Sequence, residues 1–247
     1  RSSISADCRL VNVKPYQKIP IKECGEALDA IPLAQFAVTT PHPYEALGAP
    51  YGEKSPYFLR QGVLDRLGEA QSALQAQYPG WRLQIFDAYR PILVQQFMVD
   101  HTFTQLVTEA RLDAENLEPE GRSQIQAEVL KFWAIPSPDP NTPPPHSTGA
   151  AIDLTLSNEQ GQTVDMGSPI DEISPRSYPN HFANSTEPTQ QKAHHHRSLL
   201  AEVMMSVGFR QHPNEWWHFS VGDQLWAWQA GNGKIARYGN AAAIEIS

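Results

Sequence analysis

Two segments of this 247-residue sequence carry the residue types of a catalytic zinc site. The first contains His146 and Asp153 in His-Ser-Thr-Gly-Ala-Ala-Ile-Asp, and the second contains Glu215 and His218 in Glu-Trp-Trp-His. Three of these side chains can fill three corners of a zinc tetrahedron and leave the fourth for water, while the remaining carboxylate takes the proton of that water. The sequence therefore predicts a metallohydrolase.

The residues around Asp153 predict a strand that presents this carboxylate to a metal. Apolar side chains at positions 152, 154 and 156 alternate with smaller or polar ones, which is typical of a strand with one face toward the core. We therefore expect Asp153 to face away from the core. Gly149 permits the chain to bend, so that His146 can approach the same ion from the preceding loop.

The second segment requires an irregular backbone. Its aromatic residues favour a strand, but residues three apart on a regular strand face opposite sides, so we expect a turn or bulge at 214–216 between Glu215 and His218.

The consecutive histidines at 194–196 are a rival metal site, yet consecutive side chains diverge on a helix or a strand. Four further histidines have no partner motif: His42, His101, His181 and His212.

The elements around these segments follow from hydrophobic periodicity. Apolar residues recur at helical spacing over 63–74, and Pro79-Gly80 would end that helix. Alternation predicts a strand over 81–86, and Arg90-Pro91 marks the boundary before another helix. A last helix is predicted over 198–207, where a glycine follows an apolar stripe.

Composition and length favour one domain over residues 1–247. Residues 1–60 are rich in Pro, Tyr and Gly and predict an irregular N-terminal arm. Residues 108–145 predict an insertion that is first helical and then proline-rich. The proline-rich end is stiff, and we interpret it as a rigid lead-in to His146 rather than a peptide for a proline-binding partner.

The formal charge of −8 and the absence of a basic run exclude a nucleic-acid partner. No run of about 18 apolar residues predicts a transmembrane helix. Cys8 and Cys24 lie near each other and far from the metal motifs, so a disulfide and two unpaired thiols are the alternatives. Nothing in the sequence specifies an oligomeric state.

Four stretches together resemble the D-alanyl-D-alanine dipeptidases. They are Phe86-Asp-Ala-Tyr-Arg-Pro91, His146-x-x-Gly-x-Ala-x-Asp153, Met166-Gly167 followed by Asp171, and Glu215-Trp-Trp-His-Phe219. This family belongs to a larger zinc-peptidase group with D,D-carboxypeptidases, lysostaphin-type endopeptidases and the hedgehog domain. The resemblance covers about residues 36–219. It implies an α+β fold of one domain, in which helices flank a central, mainly antiparallel sheet that carries the zinc site.

The resemblance also implies a role for each matching residue. His146, Asp153 and His218 become the ligands of Zn²⁺, and Glu215 becomes the general base. Arg90 becomes the cation that faces the developing oxyanion. From chemistry alone, a structural ion pair between Arg90 and a nearby carboxylate such as Asp87 is the alternative.

Substrate contacts are implied at three positions. Asp171 would match the ammonium group of a free dipeptide, with a turn residue as the alternative, and Trp216 would shape a small pocket. Phe36 stands where the family usually has a tyrosine near the substrate amine. Pro144 stands where it usually has a serine two places before the first histidine. Each change removes a hydroxyl group, which leaves room for weaker recognition of the substrate amine or carboxylate.

The predicted activity is zinc-dependent hydrolysis of the D-alanyl-D-alanine dipeptide. One alternative is a D,D-carboxypeptidase or endopeptidase that acts on longer peptides derived from peptidoglycan. Another, of a different class, is a zinc-stabilised binding module without turnover. We expect an exported protein of a bacterium, periplasmic or extracellular, with a cytoplasmic location as the alternative.

Overall fold

The computed structural model describes residues 14–243. Seven strands lie in this part of the chain: β1 (Leu28–Ala30), β2 (Ala37–Val38), β3 (Phe58–Arg60), β4 (Arg82–Asp87), β5 (Ala151–Ser157), β6 (Arg210–Gln211) and β7 (His218–Ser220). Six α-helices accompany them: α1 (Pro43–Ala46), α2 (Gln61–Gln77), α3 (Ile92–Glu109), α4 (Pro119–Phe132), α5 (Pro188–Ser206) and α6 (Gln224–Ala230). None of the described helices is both long enough and apolar enough to span a bilayer.

A five-stranded sheet with the order β2-β4-β5-β7-β6 forms the centre of the fold. β2 runs parallel to β4, and the other pairs are antiparallel. The predicted mainly antiparallel sheet is therefore confirmed. The register sets Asp153 on β5 opposite His218 on β7 and, after an irregularity in β4, opposite Asp87. Three polar side chains are thus aligned across the middle of the sheet.

Helices α2 and α5 pack against each other and cover one face of this sheet. The apolar residues of α2 that recur at helical spacing are fully buried: Val63, Leu67, Ala70 and Leu74. They share one core with the alternate strand residues Ile152, Leu154 and Leu156, as the sequence predicts. Because side chains alternate along a strand, Asp153 faces the opposite side of the sheet.

Helix α5 is longer than its sequence pattern predicts, since it begins at Pro188 rather than near 198. Its first two turns contain no apolar stripe, and polar side chains near the middle of the helix contact neighbouring carbonyl groups. His196 Nδ1 donates to the Asp165 carbonyl, and Arg197 Nε donates to the Met166 carbonyl, each at 2.7 Å. Hydrophobic periodicity does not predict a helical segment that is held by polar contacts.

The region predicted as an insertion contains the end of α3 and all of α4, followed by an extended segment that reaches a short 3-10 turn over Pro145–Thr148. Trp133 and Ala134, which follow α4, border the cavity described below. The described part of the predicted arm contains β1, β2, α1 and β3, and β2 forms one edge of the central sheet. Cys24 is exposed, whereas Cys8 lies outside the described residues, so their pairing remains a prediction.

Candidate metal centre

His146, Asp153 and His218 converge on the face of the sheet opposite α2 and α5. His146 Nε2 lies 3.1 Å from His218 Nδ1 and 3.2 Å from Asp153 Oδ2. His218 Nδ1 lies 3.0 Å from Asp153 Oδ1. All three residues are at least nine-tenths buried. The structure therefore brings together the three side chains that the sequence nominates as ligands.

The separations between these atoms fit a zinc ion. Bonds of about 2.0–2.1 Å in a tetrahedron place ligand atoms about 3.3–3.4 Å apart, close to the 3.0–3.2 Å observed here. The set of two imidazoles and one carboxylate also suits zinc. Three protein ligands leave a fourth position for water or substrate, as in catalytic rather than structural zinc sites.

The hydrogen bond of the far nitrogen of His146 supports this interpretation. Its Nδ1 donates to the Ala88 carbonyl at 2.7 Å, which leaves Nε2 as the nitrogen that faces Asp153. Fixing the far nitrogen by a carbonyl is also the arrangement that orients histidine ligands of metals.

Local backbone geometry delivers His146 to this position. Gly149, which ends the 3-10 turn, has a φ of +70°, in the left-handed region that glycine adopts without strain. A Cβ atom at this position would lie 2.3 Å from Leu28 Cδ2. Glycine is therefore required both by the conformation and by the close approach of β1, and the predicted bend before β5 is confirmed.

Glu215 reaches the same centre because the chain turns between it and β7. Turns occupy 213–214 and 216–217, which confirms the predicted irregularity. Glu215 Oε2 lies 3.8 Å from His218 Nδ1, and Oε1 is buried without a hydrogen-bond partner among the described residues. Burial and the neighbouring Asp153 raise the pKa of Glu215 well above its usual value, and Lys14 opposes them. A bound dication would likewise favour the ionised form.

Arg90 is held beside the ligands by several fixed contacts. Its Nε and Nη2 atoms donate to Asp87 Oδ2 at 3.0 and 2.7 Å, and Nη2 also lies 3.2 Å from Asp153 Oδ2. Nη1 donates to Gln95 at 2.9 Å. The predicted ion pair with Asp87 is therefore present. This ion pair does not withdraw the guanidinium from the cavity, because Arg90 still borders that space.

Asp171 lies at the same cavity and is partly buried. Tyr44 donates to its Oδ2 at 2.8 Å, and the guanidinium of Arg90 lies 5.0 Å from the centre of the Tyr44 ring. Burial, and then repulsion from Asp153, raise the pKa of Asp171 to about 7. Its φ of +67° is uncommon for a residue other than glycine, so the surrounding contacts hold it in a strained conformation.

The cavity is small, with a volume of about 30 Å³, and it opens to solvent. Acidic and basic groups from distant parts of the chain border it together with apolar side chains. The charged and potential ligand residues are Lys14, Arg90, His146, Asp153, Asp171, His212, Glu215 and His218. Trp133 and Trp217 border the same space, so charged groups of both signs lie beside aromatic side chains.

Comparison with known proteins decides the family. The sequence model of a family described as D-ala-D-ala dipeptidase matches residues 37–235. The chain belongs to this family. A D-alanyl-D-alanine dipeptidase of Synechocystis sp. is 49% identical over 239 residues, covering 92% of this chain and 96% of that protein. One from Escherichia coli is 33% identical over 156 residues, covering 62% of this chain and 61% of that protein.

Among solved structures, VanYB in complex with D-alanine-D-alanine is 17% identical, with a TM-score of 0.41 over 66% of this chain and 71% of that chain. As a member of the D-Ala-D-Ala dipeptidase family, the chain is a metallopeptidase, which confirms the enzyme class predicted from the two ligand segments.

Two of the residues expected to contact the dipeptide lie elsewhere. Phe36 is buried in the core formed with α2 and α5, and Trp216 is buried with its Nε1 donating to Ser168 Oγ at 3.0 Å. Neither borders the cavity, whereas Trp217 does, and a contact of Phe36 or Trp216 with the substrate stays a prediction. The turn after Glu215 reverses which tryptophan faces the metal centre, and strand alternation cannot predict that reversal.

Sequence reasoning did not identify three residues that contact Asp87 or Glu215 beside the metal centre. His42 Nε2 and the Tyr51 hydroxyl both contact Asp87 Oδ1, at 3.1 and 2.9 Å. His212 borders the cavity, with Nδ1 3.5 Å from Glu215 Oε1. No motif spacing connects these positions to the ligands. The histidines at 194–196 lie on α5, apart from the ligand cluster, so the rival metal site does not form among the described residues.

Proposed function

We propose that this protein hydrolyses the free dipeptide D-Ala-D-Ala, with Zn²⁺ held by His146, Asp153 and His218. The observation that carries the proposal is the convergence of three ligand atoms 3.0–3.2 Å apart beside the buried carboxylate of Glu215. Membership of the family and the 49% identity to the Synechocystis dipeptidase support the choice of substrate.

Bound Zn²⁺ would lower the pKa of a coordinated water to about 7 and polarise a carbonyl oxygen. Glu215 is the residue that takes the proton of the attacking water and delivers it to the departing amine. Its position supports this role, because Oε2 lies near the ligand His218 and Oε1 has no hydrogen-bond partner among the residues that the structure describes.

Arg90 stabilises the negative charge that develops on the carbonyl oxygen. A guanidinium that is already oriented favours the transition state, since no reorganisation is needed when the charge appears. Asp87 and Gln95 supply that orientation. The buried ion pair and the catalytic role are therefore compatible functions of one side chain.

Asp171 is the partner for the ammonium group of the dipeptide. It borders the cavity on the side where Tyr44 and Arg90 meet, and its carboxylate accepts a hydrogen bond from Tyr44. A charge-assisted hydrogen bond to this carboxylate would select substrates with a free amino terminus. Peptides whose amino group is blocked would lose that contact.

Three substitutions test the catalytic assignments. Glu215→Ala should keep zinc and lose activity, whereas His218→Ala should lose both. Arg90→Ala should lower kcat by about 10²–10³ with zinc retained, as for the loss of an oxyanion donor. Elemental analysis and initial rates on D-Ala-D-Ala measure both quantities, and the exposed His181→Ala is the control. Near wild-type turnover of Arg90→Ala would exclude its role.

Substrate choice is tested separately with N-acetyl-D-Ala-D-Ala. The free dipeptide should be hydrolysed faster, because only it offers an ammonium group to Asp171. A preference for the blocked peptide would reassign the protein to D,D-carboxypeptidases acting on longer wall peptides. A zinc-loaded protein that hydrolyses neither would instead support the non-catalytic binding module.

A further inference from the structure

The ammonium group of Lys14 borders the cavity, and the mechanism above does not use it. Lys14 Nζ donates to the Trp133 carbonyl at 3.2 Å. Within residues 14–243 this is its one hydrogen bond, although an ammonium group carries three donors. Two N–H groups of a partly buried cation therefore remain for a ligand.

Packing and hydrogen bonds fix the backbone around Lys14 to the rest of the fold. Lys14 directly precedes a 3-10 turn over Pro15–Lys18, which packs on α6. Tyr16 of this turn is buried, and Gln224 Nε2 on α6 donates to the carbonyls of Gln17 at 3.3 Å and Ile19 at 2.6 Å. The cation is thus presented by a fixed segment rather than by a side chain on a free surface.

Lys14 and Asp171 border the same cavity with opposite charges. Asp171 accepts a hydrogen bond from Tyr44, whose hydroxyl also lies 3.4 Å from Arg90 Nη2. Lys14 instead donates to the Trp133 carbonyl. Different parts of the cavity wall therefore hold a positive and a negative group.

A free dipeptide carries a positive amino end and a negative carboxylate end, and the cavity offers a charged partner for each. Of Lys14 and Arg90, the two strongly basic side chains among the described residues that border it, Arg90 is already occupied by protein acceptors. We propose that Lys14 binds the C-terminal carboxylate of the substrate, an assignment that rests on the proposed dipeptidase function.

Two substrates that differ only at the C-terminus test this assignment. D-Ala-D-Ala offers a carboxylate, and D-Ala-D-Ala amide offers a neutral group of similar size. In Lys14→Met, kcat/KM on the free acid should fall about 10- to 100-fold, mainly through KM, as expected for the loss of a hydrogen bond between charged groups. Hydrolysis of the amide should fall much less, because the amide has no charged end for Lys14 to bind, and Lys14→Arg should retain most of the preference for the acid.

Lys18→Met is the matched control, because this exposed lysine lies on the same turn outside the cavity. An equal loss on acid and amide would show that Lys14 only supports the fold through Trp133, and no loss on the acid would also overturn the assignment. Zinc-loaded Glu215→Ala with and without Lys14→Met gives a readout without turnover: calorimetry should show that Lys14→Met removes the preference for binding the acid. Failure of the wild type to hydrolyse D-Ala-D-Ala would overturn the proposed function. The ratio of the affinities for the acid and the amide would still decide the role of Lys14.

Discussion

Asp87 contacts several of the residues that surround the metal ligands. Replacing it with asparagine is the sharpest test of how these contacts stabilise the metal centre. The side chain is fully buried. Its Oδ2 atom accepts two hydrogen bonds from Arg90, and Oδ1 accepts from Tyr51 and contacts His42 Nε2. His42 Nδ1 accepts from the Glu45 amide, so a neutral His42 donates through Nε2. Donors therefore surround both carboxylate oxygens, and an asparagine NH₂ group would face donors in either orientation.

The expected cost follows from the charges that remain. Removing one partner of a buried ion pair costs about 3–5 kcal/mol, because the other charge stays buried. Arg90 keeps its contact with Asp153, so we expect the lower end, about 3 kcal/mol. For a domain of this size that loss corresponds to a fall in Tm of about 6–12 °C.

Urea unfolding of the metal-free protein at neutral pH measures this free energy directly. Asp100→Asn is the control, because Asp100 is an exposed aspartate that accepts one hydrogen bond from Gln96 on α3. Burial alone would raise the pKa of Asp87, but Arg90, His42 and His146 hold it below its usual value. Asp87 therefore stabilises the fold above its unfolded pKa of about 4, and the two proteins should converge as pH falls below that value. A loss under about 1 kcal/mol at neutral pH would refute the reasoning.

Two further predictions concern metal removal and pH. Zn²⁺ at 1,000 times its Kd should stabilise the metal-free protein by about 4 kcal/mol in thermal unfolding; His218→Ala should abolish the shift, and an unchanged shift would remove His218 from the ligand set. Because the folded pKa of Asp171 is raised to about 7, the folded state holds its proton longer, so stability should fall as pH rises from about 4 to 7. The free energy of unfolding of the metal-free wild type, measured in urea relative to that of Asp171→Asn, should fall by up to about 4 kcal/mol between pH 4 and 8. Parallel pH profiles of the two proteins would contradict this.

Much of the metal centre could be predicted because its information is local. The strand around Asp153 and the bend at Gly149 follow from alternation and from the conformational freedom of glycine. The need for a turn before His218 follows from the geometry of a strand. The start of α5 could not be predicted in the same way, because its first two turns carry no apolar stripe and the contacts that hold the helix near them are polar, from His196 and Arg197 to carbonyl groups.

The sequence by itself determined the chemistry: which residues can hold a metal, which carboxylate is left to act as base, and which family the chain resembles. Tertiary structure decided which groups share the cavity. Lys14 and Asp87 lie far from the ligands in sequence, and only the packing on α6 and the pairing of β4 with β5 bring them to the metal centre. The physical reason is that periodicity reports how each element meets the core, whereas electrostatic contacts depend on distances between elements that no local pattern encodes.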